Sequence, residues 1–119
     1  MPRAKFFIVL LLLLTPTTLF AHAYLIKSVP AQRATLYHAP AKIQLWFNER
    51  LEPRYSSLTL SAADGKILEI GKAEVSADDP KQLTAALKVL SAGRYVVKYR
   101  VLSVDGHVVQ DQFPFTLKQ

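Results

Sequence analysis

From Arg94 to Val104 the chain reads RYVVKYRVLSV, with Tyr95, Val97, Tyr99 and Val101 on every second position. A period of two sends successive side chains to opposite faces of an extended chain. This segment can therefore bury one face as a strand but cannot form an apolar helical stripe. The same period recurs in Lys42 to Phe47 (KIQLWF) and in Ser57 to Ser61 (SLTLS), and Phe113 and Phe115 stand two apart in Val108 to Leu117. Lys66 to Ile70 follows Ala63-Asp64-Gly65, and Asp-Gly between apolar runs is a strong hairpin signal. Gln82 to Leu87 is a further candidate strand. No long run has the helical period. Ala73 to Asp79 reads as a helical turn or a loop ending at Pro80, and Ala31 to Pro40 reads as a loop between two prolines. About seven short strands between Pro, Gly and Asp predict an all-β sandwich.

The first residues follow a different logic. Arg3 and Lys5 precede the unbroken apolar run Phe6 to Leu14, and Leu19-Phe20-Ala21 ends in a small residue. A positive start, a short apolar core and a small residue at the end describe a secretory signal peptide. Pro16 cuts the run well short of the roughly 20 apolar residues a membrane-spanning helix needs. We expect residues 1–21 to be a cleaved leader and residues 22–119 to be one exported domain with no membrane anchor. On the small-residue rule alone a cut after Ala23, through Ala21-His22-Ala23, is the better one, and it would discard His22; the cut after Ala21 is expected because only that cut makes chemical use of His22.

Loss of Arg3 and Lys5 lowers the formal net charge from +6 to +4. The remaining cations are scattered singly and do not interleave with aromatics, so no nucleic-acid surface is indicated. The chain has no Cys, and its one Met is Met1. The domain must hold together by packing alone, and it lacks the sulfur ligands that select Cu(I). A blue-copper electron-transfer site, which needs a thiolate, is excluded.

Three histidines are present: His22, His38 and His107. His38 lies in a loop and carries no signal. Cleavage after Ala21 would give His22 a free α-amine beside its ring Nδ1, two nitrogens able to close on one metal. The amine sheds its proton near neutral pH, with an ordinary pKa of about 7.7–8.0. Asp105-Gly106-His107 supplies a carboxylate and a second imidazole. If the segment is extended, the two side chains face one way. Two imidazoles, an amine and a carboxylate form a nitrogen–oxygen set suited to tetragonal Cu(II), with Zn(II) as the natural competitor. Alone, the Asp-Gly-His run is a weak signal, and a plain turn between strands is the better reading of it.

Several segments together resemble the copper-resistance protein C (CopC) family. They are His22-Ala-Tyr-Leu, Ser28-Val-Pro30, Ala39-Pro40-Ala-Lys-Ile, Phe47-Asn48-Glu49, Glu52-Pro53, Ala92-Gly93-Arg94-Tyr95, Val104-Asp105-Gly106-His107 and Phe113-Pro-Phe115-Thr. Each is short; their order and spacing run through most of residues 22–119. The resemblance implies a Greek-key β-sandwich, immunoglobulin/cupredoxin-like, in the periplasm. It implies one Cu(II) per chain, held by His22, Asp105 and His107, with Glu49 close to the site. It also implies an inner-membrane copper-transport partner and a monomeric protein. The chain departs from the family in three places. It has no methionines for the second, Cu(I) site of some members; Tyr99 stands where many have Trp; and Arg50 stands where Pro is frequent.

The expected function is a periplasmic Cu(II) carrier or buffer in copper resistance or homeostasis, without enzymatic activity. Two alternatives belong to other classes. A histidine-brace copper oxidase would need an open coordination position for oxygen, which Asp105 would fill. A metal-free interaction module becomes the reading if cleavage removes His22.

Overall fold

The computed structural model describes residues 23–119. The leader expected over residues 1–21, its cleavage point and His22 lie outside the described residues. Among the described residues nine strands form two sheets: β1 (Leu25–Val29), β2 (Thr35–Leu36), β3 (Lys42–Phe47), β4 (Ser57–Ala62), β5 (Ile67–Leu68), β6 (Glu74–Val75), β7 (Gln82–Ala86), β8 (Gly93–Leu102) and β9 (Val108–Leu117). One sheet has the order β1-β3-β7-β6 and the other β2-β9-β8-β4-β5, so the chain crosses repeatedly from sheet to sheet as a sandwich requires. All pairings are antiparallel except β2 with β9.

The period-two segments became the central strands. Ile43, Leu45 and Phe47 of β3, Leu83 and Ala85 of β7, Tyr95, Val97, Tyr99 and Val101 of β8, and Phe113 and Phe115 of β9 form the core between the sheets. Removing one such large side chain costs about 2–5 kcal/mol, because close-packed neighbours cannot refill the space. Tyr95 stacks on Phe115 with ring centroids 5.5 Å apart, and its hydroxyl donates to the Ser91 carbonyl at 2.5 Å.

Three expectations are refined. Among the described residues the strands number nine rather than about seven, because β1 (Leu25–Val29) and the two-residue strands β2 and β6 join the six segments expected to be strands. Thr35–Leu36 pairs with β9 inside the segment expected to be a loop. Glu74–Val75, expected as a helical turn or loop, pairs with β7 because Val75 packs against the core. Trp46 points outward from β3, and the Lys27 ammonium lies 4.7 Å from its ring centroid. No helix among the described residues is long and apolar enough to cross a membrane.

Candidate metal centre

The connection from β8 to β9 is built around Ser103, which is only 1 % exposed and pairs with Leu51 in an isolated bridge. Its amide donates to the His107 carbonyl at 2.8 Å, and its carbonyl accepts from the Gly106 amide at 2.9 Å. Its hydroxyl accepts from the His107 amide at 3.0 Å. Gly106 has φ +89°, a conformation that side chains with a Cβ rarely adopt. Asp105 and His107 are thus joined by a turn, and the extended alternation expected for them does not describe this segment. Asp105 is exposed and His107 is half-buried.

A second segment reaches the same hairpin. After β3 the chain leaves its sheet, and the Glu52 amide donates to the Leu102 carbonyl while the Val104 amide donates to that of Arg50, both at 2.8 Å. Buried Leu51 fixes this crossing in the core. The crossing brings Glu49 to His107: the imidazole Nδ1 is 3.3 Å from each carboxylate oxygen. A carboxylate only accepts, so in the neutral imidazole the proton belongs on Nδ1 and Nε2 keeps the lone pair. The Glu49 side chain is 12 % exposed and that of His107 29 %, so the pair is sheltered more than a surface ion pair.

The same crossing holds the start of the described chain. The Tyr24 amide donates to Asn48 Oδ1 at 2.7 Å. The Asn48 amide returns a bond to the Tyr24 carbonyl at 3.2 Å, and Ala23 is buried. Asn48 and Glu49 are neighbours, so one dipeptide grips the N-terminal segment and His107 together. Sequence reasoning set Glu49 near the site but missed the clamp made by Asn48, for which Phe47-Asn48-Glu49 was the available signal. Nothing in the sequence pointed to Ser103. Among the described residues no group of three or more His, Asp or Glu side chains is gathered as a metal site. A wide recess of about 870 Å³ between Pro53–Ser56 and Lys72–Val75 includes none of Glu49, Asp105 and His107 in its lining.

A family profile described as the CopC domain matches residues 25–118. The chain belongs to the CopC family. This CopC domain is 35 % identical over 111 residues to copper resistance protein C of Xanthomonas campestris pv. juglandis, covering 88 % of this chain and 87 % of that one. It is 34 % identical over 120 residues to copper transport protein CutJ of Bacillus subtilis, covering 98 % of this chain but only 22 % of CutJ. Among solved structures, CopC from Methylosinus trichosporium OB3b superposes with a TM-score of 0.77 at 36 % identity, covering 82 % of this chain and 94 % of that one. PcoC from Escherichia coli, a methionine-rich copper resistance protein, gives a TM-score of 0.70 at 33 % identity, covering 82 % of this chain and all of PcoC.

Proposed function

We propose that this CopC-family chain is a periplasmic Cu(II)-binding protein that carries or buffers copper and is not an enzyme. One Cu(II) per chain would be bound by His22, through amine and ring, and by Asp105 and His107. The observation that carries this reading is the Glu49–His107 contact, 3.3 Å to both oxygens, beside an Asn48 that clamps Tyr24. Metal-binding imidazoles characteristically donate their second ring N–H to a carboxylate, which fixes the tautomer and raises ligand basicity. Here that second N–H is Nδ1, leaving Nε2 as the donor atom. The clamp begins two residues after His22, within reach of the same end of the sandwich. The copper names of the relatives support the metal's identity. The absence of Cys, and of any Met beyond Met1, supports Cu(II) over Cu(I).

Residues 1–21 act in this reading as a cleaved leader, and export leaves residues 22–119 as a monomeric domain in the periplasm. Copper would pass to or from an inner-membrane transport partner. CutJ, a copper transport protein that contains this domain as about a fifth of its length, is consistent with such a partnership.

The test is a Cu(II) titration of the exported protein against a competing chelator, with its intact mass measured in parallel. Tight one-to-one binding, lost in His22→Ala, together with a chain that starts at His22, is expected. Equal tight binding by both proteins, or a chain that starts at Tyr24, would overturn the ligand assignment.

A further inference from the structure

About eight residues along β8 from the candidate metal centre, some 27 Å at strand rise, the outer face of the five-stranded sheet carries a different constellation. A recess of about 280 Å³ is lined by Arg33, Arg94, Pro114, Phe115 and Thr116. Arg94 and Thr116 are directly opposed in the β8–β9 ladder. Arg33 arrives from the segment before β2, where the Ala34 amide donates to the Ala31 carbonyl at 3.1 Å to close a four-residue turn. The Arg33 amide donates to the Pro114 carbonyl at 2.7 Å, which pins the turn against β9.

Arg33 has φ +62°, and it is the one described residue other than glycine with a positive φ. The third position of such a turn ordinarily goes to Gly or Asn, because a Cβ is disfavoured there. A long cationic side chain stands at that position against the backbone preference, the kind of outlier that points to function. No described carboxylate forms an ion pair with Arg33 or Arg94. Farther along the same strand, Lys98 and Arg100 are exposed on the same face as Arg94, opposite Gln112 and Gln110. Two forked guanidinium groups and a hydroxyl lining one recess suit a tetrahedral oxoanion, to which each fork can donate in pairs.

We propose that Arg33, Arg94 and Thr116 form a binding site for the oxoanion of a phosphate group. Its chemistry is shared by free phosphate and by an anionic phospholipid headgroup. The site is independent of the copper reading, since it uses none of the same residues.

The test follows backbone amide shifts of the purified, isotope-labelled protein at low salt during titration with inorganic phosphate. Sedimentation with vesicles of phosphatidylglycerol or of phosphatidylcholine runs alongside. Saturable shifts centred on residues 33, 94 and 116 are expected, with affinity about tenfold weaker in both Arg33→Gly and Arg94→Gln, as expected for losing a charged hydrogen-bond donor. Sedimentation with phosphatidylglycerol alone identifies the headgroup as the source; phosphate shifts without sedimentation identify free phosphate. Arg33→Gly should keep or raise the unfolding midpoint, because glycine suits the turn. If Arg33→Gly unfolds instead, binding by a folded Arg94→Gln decides. Binding that never saturates, or that survives Arg94→Gln unchanged, overturns the proposal.

Discussion

The five-stranded sheet has an Asp-Gly turn at each end, and the two use the same dipeptide differently. Gly65 and Gly106 have nearly the same φ, +88° and +89°. At one end the Asp64 carboxylate accepts from the Lys66 amide at 2.9 Å, so the aspartate is spent on its own turn. At the other end the corresponding amide, that of His107, goes to Ser103 Oγ instead. A buried serine has taken over the work of the aspartate. The Asp105 carboxylate is thereby left out of the turn's bonding, two residues before an imidazole that Glu49 orients. The dipeptide makes both turns; which residue satisfies the next amide decides whether the carboxylate is available for other chemistry.

The largest effect expected from breaking this contrast comes at the residue after each glycine. His107→Ala should weaken Cu(II) binding by more than about a hundredfold, beyond the usual range for residues that only support a ligand. Lys66→Ala should leave it unchanged. A chelator-competition titration of both variants decides, and equal affinities would erase the functional difference between the turns. The aspartates should then separate in two directions. Asp105→Ala should lower copper affinity at least tenfold and change stability by under about 0.5 kcal/mol, as an exposed residue without a turn bond does. Asp64→Ala should leave copper binding intact and cost about 0.5–1.5 kcal/mol for its lost bond, read by denaturant unfolding. Glu49→Gln should fall between, weakening copper binding by roughly tenfold through loss of the charged acceptor at Nδ1.

The glycines sharpen the point because their backbone costs should match. A Cβ at either position meets nothing within 4 Å, so no steric clash distinguishes them. Gly65→Ala and Gly106→Ala should each cost about 1–2 kcal/mol from the left-handed conformation alone. Only Gly106→Ala should also weaken copper binding, because it moves Asp105 relative to His107. Paired melts and titrations of the two variants measure both quantities.

Much of this contrast was hidden in the sequence for a physical reason. Period two marked β3, β4, β8 and β9 because a half-buried strand must alternate. It missed Thr35–Leu36 and Glu74–Val75 because two residues are too few to show a period. It marked the Asp-Gly turns equally, since turn chemistry is local. What separates the turns is the Ser103 hydroxyl on the His107 amide, only four residues away but set by no turn rule, together with the contact of Glu49 with His107, 58 residues apart. A pairing of that kind exists only once the two sheets have packed. Glu49 was legible through the segments shared with the CopC family, whereas the Asn48 clamp on Tyr24 became visible only when β1 was seen beside β3.

Tyr95 and Tyr99 extend the comparison along the buried face of β8, and they supply the smallest effect. Toward the Asp64 end, Tyr95 gives its hydroxyl to Ser91. Toward the Asp105 end, Tyr99 packs edge-on against Phe47 with centroids 5.5 Å apart. Burial, and then the nearby Asp111 carboxylate, raise its pKa above the ordinary 10.0. A raised folded pKa for a neutral acid means that the folded state resists losing the proton. The resulting stability is fully present below pH 10 and is lost as pH rises through the folded value. Tyr99→Phe should therefore change stability by less than about 1 kcal/mol at neutral pH, keep copper binding, and flatten the alkaline fall in stability. Unfolding midpoints measured on both sides of pH 10, with phenolate absorbance followed in parallel, test it. An alkaline fall that persists unchanged in Tyr99→Phe would assign it to other groups and leave Tyr99 as a packing residue only.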